Sequence, residues 1–131
     1  MLECLIIGDS IGVGTHHFRK ECVAYAKSGW NTSQWNQDYL KNDLTAQTVI
    51  ISLGSNDLKH INTREELQKT RAKVKGNRVF WILPAIKPHI QKIVREVANE
   101  HHDTVIEITK LQADKIHPSF QGYKELADKT K

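Results

Sequence analysis

A chain of 131 residues with 39% hydrophobic and 26% charged residues has the size and composition of one globular domain, spanning 1–131. Such a chain buries about two-thirds of its unfolded surface and needs no metal or disulfide staple. Its net charge of +4 comes without a nucleic-acid motif, and no apolar run reaches the ~18 residues that a membrane helix requires.

Five short apolar runs alternate with amphipathic stretches. The first, residues 2–7, ends at Gly8 and leads through Asp9 and Ser10 into a helix. The second is short, residues 22–26, and is followed by Ser28-Gly29-Trp30. Trp35, Tyr39 and Leu40 mark a helix near residues 32–42. The third run, 48–53, ends at Gly54. Thr63 and Glu66 read as a capping box opening a helix that carries Leu67 and Val74. The fourth run, 79–83, stops at Pro84. Ile90, Ile93, Val94, Val97 and Ala98 then line one helix face. The fifth run is 105–108, and a last helix carries Phe120, Tyr123, Leu126 and Ala127, with Pro118 in its first turn.

β-branched residues recur in the five runs, as buried strands require. Alternating strands and helices predict an α/β fold: a doubly wound, three-layer α/β/α sandwich around five parallel strands. In such a sheet, chemistry sits beyond the carboxyl ends of the strands. Cys4 and Cys22 fall in apolar runs and read as small core side chains, and their spacing leaves open whether they pair. The chain shows no basic segment followed by a long apolar stretch, so a cytoplasmic location is expected, with delivery in a larger assembly as the alternative. The adjacent pairs His16-His17 and His101-His102 point to different helix faces and make poor metal clamps.

Four predicted loops at the carboxyl edge hold reactive groups. Ser10 follows a strand and opens a helix, where its backbone N–H faces a developing anion. The same Asp-Ser pair is also a good helix cap. Asp114-x-x-His117 can fix an imidazole tautomer, and can equally be a surface turn. Asn56, two residues after Gly54, offers an amide donor, and Gly29 offers a backbone donor. Each has an ordinary turn reading. Their convergence on one sheet edge favours a nucleophile, base, acid and oxyanion set.

These segments resemble the SGNH/GDSL hydrolases over about residues 5 to 127. Gly8-Asp9-Ser10-Ile11 stands for the first block, with Ile11 in place of the usual leucine. Gly29, with Thr32 following, stands for the second, and Gly54-x-Asn56-Asp57 for the third. Asp114-x-x-His117-Pro118, followed by Gly122 and Tyr123, stands for the last. The resemblance implies a flavodoxin-like SGNH fold and a serine esterase acting through an acyl-serine. It makes Ser10 the nucleophile, His117 the base and Asp114 its orienting partner. The N–H groups of Ser10 and Gly29 and the Asn56 amide would form the oxyanion hole.

No metal or organic cofactor is implied. Family members are usually longer, so the missing length falls in pocket loops and substrate choice transfers least. The expected substrate is a small-molecule or polysaccharide ester carrying a short acyl or O-acetyl group, as in a carbohydrate or cell-envelope deacetylase. A lysophospholipase or thioesterase, and a non-catalytic binding module, are the alternatives. Trp30, His60, Pro84 and Ile86 stand where they could touch substrate.

Overall fold

The apolar runs pair into one parallel sheet because a helix between successive strands returns the chain to the amino-terminal end of the sheet. The computed structural model describes residues 1–131. In chain order the elements are β1 (Leu2–Gly8), α1 (Ser10–His17), β2 (Val23–Ala26), α2 (Thr32–Tyr39), β3 (Leu44–Ser52), α3 (Thr63–Lys73), β4 (Val74–Ile82), α4 (Pro88–Glu100), β5 (Thr104–Ile106) and α5 (Phe120–Lys129). The strand order is β2-β1-β3-β4-β5, and every neighbouring pair is parallel.

The two faces of the sheet bury different side chains, as the two-residue period of a strand dictates. Leu5, Ile7, Val49, Ile51 and Trp81 pack with Trp35 of α2, Leu67 of α3 and Val94 of α4. Cys4, Ile6, Ile50, Phe80 and Ile82 pack with Ile11 of α1 and Leu126 of α5. This is the three-layer arrangement expected from the sequence. The order reverses between β1 and β3, which places a crevice between their carboxyl ends.

Several boundaries differ from the sequence reading. β3 and β4 begin earlier, at Leu44 and Val74, and Thr45↔Lys75, Ala46↔Gly76 and Thr48↔Arg78 extend their pairing. Residues 75–78 are exposed and mostly polar, so hydrophobicity does not mark this part of the sheet. Val74 consequently opens β4 rather than lying on α3. The cap of α3 is Asn62, whose side chain accepts from the Glu65 N–H at 3.2 Å. Thr63 is instead drawn to a buried carboxylate described below. Pro118 precedes the Ser119 cap of α5 and bridges to Leu111.

Cys4 and Cys22 are joined in a disulfide, with Cα atoms 4.7 Å apart. The pairing that the sequence left open is thus made, between two side chains that are core residues as expected. Parallel register explains the pairing: Leu5 faces Val23, the first residue of β2, so Cys4 and Cys22, one residue earlier in each segment, also lie side by side. Both are buried.

Candidate active site

β1 and β3 approach closely at their carboxyl ends. Gly8 pairs with Ser52, and a Cβ on Gly8 would collide with the Ser52 carbonyl oxygen. The Asp9 N–H donates to that carbonyl at 3.0 Å. The Asp9 side chain then caps α1 by accepting from the Ile11 N–H at 3.0 Å. Burial pushes its carboxyl up to about 6, and its Oδ2 has no hydrogen-bond partner. Asp9 is thus the cap, which leaves Ser10 as the first helical residue with an N–H that α1 does not use.

The Ser10 hydroxyl lies 2.9 Å from Nε2 of His117. Nδ1 of His117 lies 2.7 Å from Oδ2 of Asp114. The other Asp114 oxygen accepts the N–H groups of Ile116 at 2.9 Å and His117 at 3.0 Å. Those two N–H groups, then the imidazole, hold the Asp114 carboxyl down at about 2. An ionised carboxylate only accepts, so Nδ1 carries the proton and Nε2 of the neutral ring accepts from the serine O–H. Lys115 adopts a left-handed φ of 60°, which folds the Asp114–His117 segment back on itself.

Gln112 laces that segment: its N–H donates to the His117 carbonyl at 2.7 Å and its side chain to the Pro118 carbonyl at 2.9 Å. Behind it, burial first and then the Asp9 and Asp114 carboxylates push the Tyr123 phenol up to about 12, so it stays protonated.

The loop after β3 supplies Asn56. Gly54 has φ +112°, and a Cβ there would stand 2.9 Å from Ile90 Cγ2, so only glycine fits. The Asp57 N–H closes the turn on the Gly54 carbonyl at 3.1 Å. The Asn56 amide donates one hydrogen to the Trp30 carbonyl at 3.0 Å and retains a second. Gly29, at φ +81°, has nothing within 4 Å of where a Cβ would stand. The loops after β1, β2 and β3 thus leave the sheet at its carboxyl edge, where Ser10 meets His117 and Asn56 meets the Trp30 carbonyl.

Asp57 is a residue whose role the sequence reading missed. It is buried and accepts from the Thr32 N–H at 2.8 Å and the Thr32 hydroxyl at 2.9 Å. The Thr63 hydroxyl donates to it at 2.7 Å. One carboxylate therefore ties the starts of α2 and α3 to the Asn56 turn. A lone Asp after Asn looks like an ordinary turn, and only tertiary packing brings the two threonines to it.

The other predicted residues are more dispersed. His60 lines an open cavity of about 770 Å³ with Leu58, Lys59, Arg64 and His89. Trp30 borders a second of about 440 Å³ with Gln34, Gln37 and Asp38. Neither lining includes Ser10 or His117. Pro84 is buried and packs beside Gly54, while Ile86 is half-buried in the β4–α4 loop. His16 donates from Nε2 to the Cys22 carbonyl at 2.9 Å, which commits it to the β2 side.

No protein-family model and no curated protein sequence matches the chain. Among solved structures it is similar to a candidate acylhydrolase from Bacteroides fragilis, with a TM-score of 0.66, 16% identity and coverage of 97% of this chain and 83% of that one. It is also similar to the C-terminal catalytic domain of peptidoglycan O-acetyltransferase A from Streptococcus pneumoniae, determined with a methylsulfonyl adduct. Here the TM-score is 0.67 at 20% identity, covering 96% of this chain and 88% of that one. At these identities the likeness is one of fold. With its five parallel strands and helices on both faces, the chain has an SGNH/GDSL hydrolase-like α/β fold.

Proposed function

We propose that the chain is a serine esterase that removes short acyl groups, O-acetyl above all, from a carbohydrate or cell-envelope polymer. The observation that carries this reading is the continuous hydrogen-bonded chain from Ser10 through His117 to Asp114. Ser10 Oγ attacks the ester carbonyl carbon while His117 Nε2 takes the hydroxyl proton. The resulting oxyanion is met by the N–H groups of Ser10 and Gly29 and by the free Asn56 amide hydrogen. Collapse expels the alcohol, protonated by His117, and leaves an acyl-serine. Water, deprotonated by His117, then releases the carboxylic acid and restores Ser10.

A polymer-borne substrate is supported by the openness of the site. The His117 and Asp114 side chains are 35% and 42% exposed, which suits a flat substrate better than a long acyl chain needing an apolar groove. The Cys4–Cys22 disulfide favours work in an oxidising compartment over the cytoplasm.

A panel of acetylated sugars and acyl esters of rising chain length tests the reading. Ser10-dependent release of acetate, falling as the chain lengthens, is the expected result. A preference for long acyl chains would instead indicate a lysophospholipase or thioesterase. No turnover, with retained polymer binding, would indicate a binding module. Adding a sugar acceptor distinguishes transfer of the acyl group to a hydroxyl from its release to water.

A further inference from the structure

Lys87 lies in the β4–α4 loop, outside the groups that would react. Its Nζ donates to the carbonyl of Ser55 at 2.8 Å and to the carbonyl of Asp57 at 2.8 Å. These two carbonyls bracket Asn56. Lys87 also holds a left-handed backbone, φ 63° and ψ 80°, immediately before α4. Left-handed geometry is unfavourable for a residue with a Cβ, and a cation at a helix N-terminus opposes the helix dipole. Two charge-assisted hydrogen bonds to one turn offset these local costs. Strain of this kind persists where surrounding structure enforces it and gathers at functional sites.

On the α4 side Gly54 packs beside Ile90, and the Lys87 ammonium adds two side-chain hydrogen bonds to the carbonyls of the turn. Gly54 is free of a side chain, and the Asn56 amide is anchored through the Trp30 carbonyl. Asp57 fixes the far end through Thr32 and Thr63. Without the Lys87 ammonium, the peptide units around Asn56 lose their anchor towards α4.

We propose that Lys87 is a positioning residue for ester hydrolysis, acting through Asn56 by clamping the turn that aims its amide at the oxyanion. The proposal rests on the esterase reading above. It makes no contact between Lys87 and substrate.

The test is a double-mutant cycle with Lys87→Met, Asn56→Ala and the double variant, read as kcat and KM on an acetyl ester. Thermal melts and the NMR signal of the Asn56 side-chain amide accompany the kinetics. Lys87→Met should lower kcat about 10- to 100-fold with little change in KM, as expected for a misplaced donor. In the Asn56→Ala background Lys87→Met should cost nothing further, and in the single Lys87→Met variant the Asn56 amide signal should move. Lys87→Arg, which keeps the charge, should recover part of kcat and serves as the comparison if Lys87→Met melts below assay temperature.

Unchanged kcat, additive losses in the double variant, or an unmoved amide signal would overturn the proposal. Absence of Ser10-dependent hydrolysis in the wild type would overturn the functional reading instead. In that event the amide signal alone decides whether Lys87 holds Asn56.

Discussion

Ser10 Oγ and His117 Nε2 stand 2.9 Å apart across 107 residues of sequence. The imidazole is oriented for this contact by Asp114, whose carboxyl is held at about 2, chiefly by the Ile116 and His117 N–H groups. A depressed pKa means that the ionised form, and whatever orientation it confers, persists above the unfolded value and is lost only as pH falls through about 2. The Asp114 carboxyl 13C signal should therefore titrate near pH 2, and a midpoint near 4 would contradict the geometry. Asp114→Asn should lower kcat by on the order of 10⁴-fold, because the amide no longer selects the tautomer with Nε2 free.

Asn56 has one amide hydrogen on the Trp30 carbonyl and one left for an oxyanion. Asn56→Ala should cost about 2.7–4 kcal/mol of transition-state stabilisation, seen as a fall of about 10²–10³ in kcat. Retention of wild-type kcat by a variant that melts normally would remove Asn56 from the site.

Asp9 predicts a stability effect of opposite sign to that of Asp114. Burial raises its carboxyl from 3.8 to about 6, so the folded state holds the proton more tightly than the unfolded chain. The contribution is complete below about pH 4 and is lost as pH rises through about 6, an effect on the order of 2–3 kcal/mol. Asp9→Asn keeps an oxygen for the Ile11 N–H but has nothing to titrate. Relative to this variant, wild-type stability measured by denaturant unfolding should decline between pH 4 and 7. Parallel profiles for the two proteins would contradict the buried, unpartnered oxygen.

The disulfide closes a loop with a sequence separation of 18. Constraining the unfolded chain over such a loop stabilises by about 3 kcal/mol. Dithiothreitol should lower the unfolding midpoint accordingly and release two thiols. An unchanged midpoint with two free thiols already present would show that the cysteines do not pair.

Most of the sheet was legible because its buried centre reads as β-branched runs ended by Gly8, Gly54 and Pro84. The starts of β3 and β4 were not, since the exposed Lys75, Gly76 and Arg78 pair there without an apolar pattern. Ser10, Asp114 and His117 were legible as short motifs at predicted strand ends. The disulfide was not, because it depends on β2 lying beside β1 in one particular parallel register. Asp57 and Lys87 act through groups distant in sequence, Thr32 and the Ser55 carbonyl, so no local pattern marks them. Thr63 shows the same limit: it matches a capping box, yet its hydroxyl serves Asp57 and Asn62 caps the helix.

The proposed role of Ser10 is that of a nucleophile activated by His117. Labelling with a serine-directed fluorophosphonate, followed by peptide mass spectrometry, tests it most directly. The expected result is an adduct on Ser10 in the wild type and none in a His117→Ala variant with an unchanged melting temperature. An adduct on another residue, or full ester hydrolysis by Ser10→Ala, would contradict it.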